Sequence, residues 1–141
     1  MNKKRLLVVL LIVLSLGIFM SCEESMSVSL KGTWRNVETE EGVTTTTIMV
    51  FEDSSFTMNI TTQSDLFLVE TSASGTYTKT DSTLTMTITS MTIDGYTLTG
   101  ADLIGFAASE EIILTKTVDY SITKSGSTVT LTVEDISYIK Q

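Results

Sequence analysis

The side chains in this chain that could do chemistry are few, and their spacing assembles no catalytic set. There is no histidine and a single cysteine, Cys22. A Ser-His-Asp triad, a histidine general base and a Cys- or His-ligated zinc site are therefore excluded. Carboxylate or lysine chemistry remains. Adjacent acids occur at Glu40-Glu41, Glu52-Asp53, Glu110-Glu111 and Glu134-Asp135. Two carboxylates cleave a glycoside only when their environments separate their pKa values. Adjacent residues on a strand point to opposite faces, and all four pairs fall at expected turns or strand ends, where solvated charge is the simpler reading. No spaced acidic loop of the EF-hand kind is present. The chain is expected to be non-enzymatic, with no metal and no cofactor.

Cys22 has another use. Lys3, Lys4 and Arg5 precede an almost continuously apolar run over residues 6–20; Ser21, Cys22, Glu23 and Glu24 follow. This is the layout of a secretory signal peptide, and its apolar run of about 15 residues is shorter than the ~20 of a spanning helix. A cysteine directly after a small residue resembles the lipobox of bacterial lipoproteins, with Phe19 and Met20 standing where Leu and a small residue are usual. The resemblance implies a diacylglyceryl thioether on Cys22, cleavage before it and acylation of the new amine. Two alternatives stay open: a secreted chain cut near Ser21 with a free thiol, and an uncleaved anchor.

The expected organisation is a signal peptide over residues 1–21, a lipidated cysteine and polar tether over 22–30 with Ser25, Ser27 and Ser29, and one domain over 31–141. A single acyl chain binds a bilayer only marginally, at ~0.8 kcal/mol per buried methylene, whereas two or three hold firmly. The expected location is the bacterial cell envelope, with the lipid bilayer as a partner through acylated Cys22. Glu23, in place of the Asp of the best-known inner-membrane retention signal, leans toward the outer membrane.

Loss of the leader removes three of nine basic residues and leaves six against 17 acids, a formal charge of −11. Such a surface repels nucleic acid and anionic headgroups. The remaining 120 residues suffice for one core. With no second cysteine, the chain forms no internal disulfide.

The elements must come from threonine. There are 26, many at alternate positions, as in STLTMTITSMT over 82–92 and STVTLTV over 127–133. Threonine is β-branched, favours strands and tolerates water. Period-two alternation predicts strands over 32–39, 44–51 and 56–62, then 66–70 and 75–79 as one interrupted strand or two. Leu84, Met86 and Ile88 begin another strand, and Met91 and Ile93 continue it after a change of phase that predicts a bulge near Ser90. Asp94-Gly95 is a hairpin signal. Residues 99–111 lose the alternation and read as a short helix, weakened by Gly105, or a long loop. Strands resume over 112–123, 129–133 and 136–140. The fold class is all-β, an antiparallel up-and-down barrel of about eight strands, with a β-sandwich as the alternative.

Gly32-Thr33-Trp34 at the first strand resembles the G-x-W signature of lipocalins and related calycin barrels. The stretch Ile48 to Phe56, Gly75-Thr76-Tyr77 and Tyr138-Ile139-Lys140 are similar to bacterial lipocalin-like lipoproteins, with Ser54 where Gly is usual. The resemblance implies that Trp34 plugs the closed end of the barrel and that a basic side chain near the last strand, Lys140, packs across it.

Two functions follow as expectations. A lipocalin-like barrel takes up a small hydrophobic or amphipathic ligand, lined by Phe56, Met58, Ile60, Leu84, Met86, Ile88, Leu114 and Leu131, with residues 103–108 as a lid. Alternatively the same residues fill a solid core, and the outer face or residues 103–108 meet an envelope or host protein.

Overall fold

The computed structural model describes residues 28–141. The leader over 1–21, Cys22 and most of the tether lie outside the described residues.

Nine strands form: β1 (Gly32–Glu40), β2 (Val43–Phe51), β3 (Ser55–Gln63), β4 (Leu68–Lys79), β5 (Thr83–Ile93), β6 (Tyr96–Thr99), β7 (Thr115–Ser125), β8 (Thr128–Val133) and β9 (Ile136–Lys140). One helix, α1 (Gly100–Ser109), separates β6 from β7. All pairings are antiparallel, and eight strands close in the order β1-β2-β3-β4-β5-β7-β8-β9 and back to β1. β6 is the extra strand. It pairs with the second half of β5, from Ser90 to Ile93, whereas β7 pairs with the first half, from Thr83 to Thr87. The architecture is a barrel rather than a sandwich.

The phase change in β5 is a bulge. Ser74 opposes Ser90 and Gly75 opposes Ile88, which leaves Thr89 unpaired. Its hydroxyl donates to the Ser74 carbonyl at 3.4 Å. The bulge brings the backbones together: a Cβ on Gly75 would lie 1.9 Å from the Thr87 carbonyl oxygen. Only glycine fits there. Asp94 and Gly95 have φ of 49° and 82°, and Glu41 and Gly42 have φ of 50° and 82°. Both turns have the paired positive φ of type I′, whose twist matches the flanking strands.

Three boundaries differ from the sequence reading. β4 is continuous across Ser72 and Ser74, because β3 pairs along its whole length up to Thr76. It starts at Leu68, and Leu66 sits in the preceding turn, 93% exposed. β7 starts at Thr115 rather than at Ile112. The Ile112 N–H donates to the Ala107 carbonyl at 2.8 Å and so completes the end of α1 instead of a ladder. Residues 100–109 are helical despite Gly105, since Ala101, Leu103, Ala107 and Ala108 favour helix. Leu103 and Ala107, one turn apart, are its buried residues, and the helix packs on β5 and β6.

Candidate binding site

The register of β1 to β5 sorts the inward residues into rows across the barrel. The lowest row is Gly32, Phe51, Phe56, Gly75 and Ile88. Above it run Trp34, Met49, Met58, Ala73 and Met91, and then Asn36, Thr47, Ile60, Thr71 and Ile93. The next row is Glu38, Thr45, Thr62 and Val69, and Glu40 with Val43 stands at the rim. The interior thus passes from aromatic and aliphatic at one end to hydroxyl and carboxylate at the other.

The apolar end is sealed. Trp34 is fully buried, and its Nε1 donates to the Leu30 carbonyl at 2.7 Å. Leu30, just before β1, is itself buried. Lys140 Nζ lies 5.1 Å from the Trp34 ring centroid and donates to the Ser29 carbonyl at 3.0 Å. A cation so placed over an indole contributes ~0.5–2 kcal/mol. Gly32 makes room for this crossing. Its φ is +127°, and a Cβ there would meet Lys140 Cε at 3.0 Å. Phe51 packs edge-on against Tyr77 with centroids 5.1 Å apart, and the Tyr77 hydroxyl donates to the Glu52 carbonyl at 2.6 Å. Burial pushes the Tyr77 hydroxyl above the usual phenol value, and Asp53 adds to it. Lys31 pairs with Asp53 at 2.8 Å across the same end. That hydrogen bond and charge hold the Asp53 carboxyl below its ordinary value and raise Lys31.

The opposite end is more polar. A cleft of about 270 Å³ is lined by Glu38, Glu40, Glu41, Val43 and Thr45. All but Glu41, which lies in the β1–β2 turn, alternate in phase with Trp34 or Met49 and so face inward. Tyr138 on β9 lies below them, 8% exposed and packed in the core. Burial, and then the Glu38 carboxylate, raise its hydroxyl above the usual phenol value. The β1–β9 ladder holds only Trp34 with Lys140 and Arg35 with Ile139. Beyond it the Asn36 side chain bridges the seam, donating to the Ser137 carbonyl at 3.0 Å. A second depression, about 210 Å³, lies on the outer face of β3, β4 and β5 among Thr57, Asn59, Ser72, Ser74, Ser90 and Thr92.

The eight residues expected to line a ligand cavity divide. Phe56, Leu84 and Leu131 are buried in the core cluster, and Met58, Met86 and Ile88 pack against it. Ile60 sits higher, level with Thr47 and Thr71. Leu114 precedes β7, and its carbonyl accepts from Ile88 N–H at 2.8 Å. None of the eight lines either cleft. The open-end residues Glu38, Val43 and Thr45 were missed, although Glu38 and Glu40 share the parity of Trp34. The carboxylate pairs stay apart: Asp53 is held by Lys31, and Glu134 by Lys116 at 2.9 Å. Among the described residues no group of three or more acids gathers as a metal site.

The fold defines a closed eight-stranded antiparallel β-barrel with one extra strand, consistent with a calycin-like architecture. Compared with protein-family models, with curated proteins and with solved structures, the chain shows no significant match.

Proposed function

We propose that this chain is a lipid-anchored protein of a bacterial cell envelope, non-catalytic, whose barrel takes a small amphipathic ligand at its open end. One observation supports the reading: the inward face, filled and sealed around Trp34, turns polar at the other end, where a shallow cleft of about 270 Å³ lies among Glu38, Glu40, Glu41, Val43 and Thr45 of the β1–β2 hairpin. That volume lies just under the ~300–1,000 Å³ usual for ligand pockets, which suits a ligand of few atoms.

The anchor follows from the resemblance around Cys22, and the fold adds an orientation. The chain enters the barrel at its sealed end, where Leu30 is buried. Eight residues from Cys22 to Ser29 span at most about 26–29 Å when extended. The sealed end therefore stays near the bilayer, and the open end projects into water. Ligand would arrive from the aqueous side.

Native mass spectrometry of the full chain released from its own envelope tests the ligand. The expected result is a discrete added mass of a small molecule, lost on denaturation. A clean mass that persists after incubation with envelope extract contradicts the reading. The anchor is tested by Cys22→Ala, which is expected to move the chain from a detergent phase to an aqueous one.

A second reading, a solid barrel that binds another protein, is favoured by one feature. Leu66, Leu68, Tyr96 and Ile104 are large apolar residues more than half exposed. Copurification of a stoichiometric protein without any small molecule would select it.

A further inference from the structure

The charge of the barrel is divided along its axis. The strands run up and down, so the β2–β3, β4–β5 and β7–β8 turns lie at the sealed end with the chain's entry at Leu30 and its exit after Lys140. The β1–β2, β3–β4 and β8–β9 turns and the β5–β7 connection lie at the other end. Of the six basic residues after Cys22, four stand at the sealed end: Lys31, Lys79, Lys124 and Lys140. Three acids accompany them, Glu52, Asp53 and Asp81. Eleven of the 15 acids after residue 27 lie in the connections of the polar end or within three residues of them, with Lys116 as their one base. One end thus carries one net positive charge and the other ten net negative.

The sealed-end lysines are placed to meet a surface. Among the described residues Lys79 and Lys124 form no ion pair. Lys124 opposes Val129, and the β8–β9 register continues to set Val129 opposite Lys140. The two lysines are therefore two strands apart, about 10 Å. β1 has nine residues and is about 30 Å long. Even tilted, as barrel strands are, it far exceeds the ~8 Å over which physiological salt screens a charge. A charged bilayer therefore acts on the end that lies against it and hardly on the other. Glu23 and Glu24 adjoin Cys22 and stay at the surface in every orientation, so they favour none.

An opposing feature sits at the polar end. Leu66, Phe67, Leu68 and Val69, in and just after the β3–β4 turn, are exposed, and such an apolar tip favours a bilayer interface. Asp65 and Glu70 flank it. A tether of at most about 26–29 Å lets the barrel lie on its side. We infer that an anionic bilayer holds this barrel upright, with Lys79, Lys124 and Lys140 against lipid phosphates and the acidic end, with its apolar tip, turned to water. Basic side chains near an anionic leaflet are attracted and acids repelled within a Debye length. On neutral lipid that repulsion is gone and the tip reaches the interface. The inference rests on the reading of Cys22 as a lipid anchor.

The test uses the full lipidated chain in vesicles of phosphatidylcholine, with or without phosphatidylglycerol. With Cys22 acylated, Ser127→Cys at the sealed end or Gln63→Cys at the polar end supplies the one free thiol for a fluorophore. Quenching by a nitroxide on the lipid headgroup reports contact with the surface. On anionic vesicles position 127 is expected to be quenched about threefold or more above position 63. The two should converge on neutral vesicles, or on anionic ones in about 1 M salt. Lys79→Gln with Lys124→Gln should bring them closer on anionic vesicles and leave neutral ones unchanged. A ratio that is the same in both lipids, or unmoved by the double variant, overturns the inference while the anchor stands. A chain that floats with neither kind of vesicle overturns the anchor reading, and the inference falls with it.

Discussion

The two ends of this barrel are built from the same strands but obey different rules. At the sealed end large side chains such as Trp34, Phe51 and Phe56 fill the interior, with Gly32 and Gly75 where backbone or Lys140 approaches, and backbone and side-chain polar groups close on one another: Trp34 on Leu30, Lys140 on Ser29, Tyr77 on Glu52. At the open end the same strands carry Thr45, Thr47, Glu38 and Glu40 on the inward face, and a shallow cleft lies beside Glu38, Glu40 and Thr45. Burial of large apolar side chains stabilises, and removing one leaves a cavity that costs more. Threonine and glutamate at the mouth contribute little of that kind. Stability should therefore reside mainly at the sealed end.

Substitutions at the two ends break or sharpen this contrast. Trp34→Ala should cost about 3–5 kcal/mol in denaturant unfolding, whereas Glu40→Gln should stay within about 0.5 kcal/mol. Similar costs for the two would end the distinction. Gly75→Ala should cost about 1–3 kcal/mol by overpacking, because the added methyl meets the Thr87 carbonyl rather than a movable side chain. Lys140→Met keeps much of the stem and removes the cation, so it should lose about 0.5–2 kcal/mol. An unchanged midpoint would show that the ammonium over Trp34 does not matter.

The pH response is the smallest effect and belongs to both ends. The folded pKa values of Tyr77 and Tyr138 are raised above the ordinary value of 10.0. Folding then holds their protons more tightly, so this contribution is complete below pH 10 and is lost as pH rises through the folded values. Lys31 is also raised and acts in the same direction above 10.5. Asp53 is lowered from 3.8, so its pairing with Lys31 is present above that pH and is lost as pH falls through the folded value. Thermal melts from pH 7 to 11 should show a decline beginning near pH 10, shallower in Tyr138→Phe. A flat profile would place both phenols in water.

The barrel was legible because alternation is a direct statement of which face is buried. Thr83 to Ile93 declared both its strand and its bulge, since a phase change in the apolar positions has no other cheap meaning. The joints were less legible. Ser72 and Ser74 looked like a break because small polar residues often mark bends, but the pairing with β3 holds them extended. Ile112 looked like a strand start because it shares its parity with Leu114, Val118, Tyr120 and Ile122, but its N–H is used by α1. The residues expected to line a ligand cavity lie lower in the barrel than the cleft beside Glu38 and Thr45. Large apolar residues such as Phe56, Leu84 and Leu131 attract attention as ligand contacts, yet in a narrow barrel they fill the interior themselves. The positions that leave room are the small and charged ones on the same face, reached by counting by twos from Trp34 to Glu38 and Glu40.

The central claim, a filled end and an accessible end inside one barrel, is tested most directly by thiol labelling along β2. Thr45→Cys and Met49→Cys place a sulfur on the same inward face, one toward the open cleft and one in the buried row beside Trp34. Labelling of the folded full chain with a polar maleimide is compared with that of the parent, whose only cysteine is Cys22. The account predicts rapid labelling at position 45 and protection at position 49 until the chain unfolds. Equal protection at both positions, or equal reactivity, would contradict it.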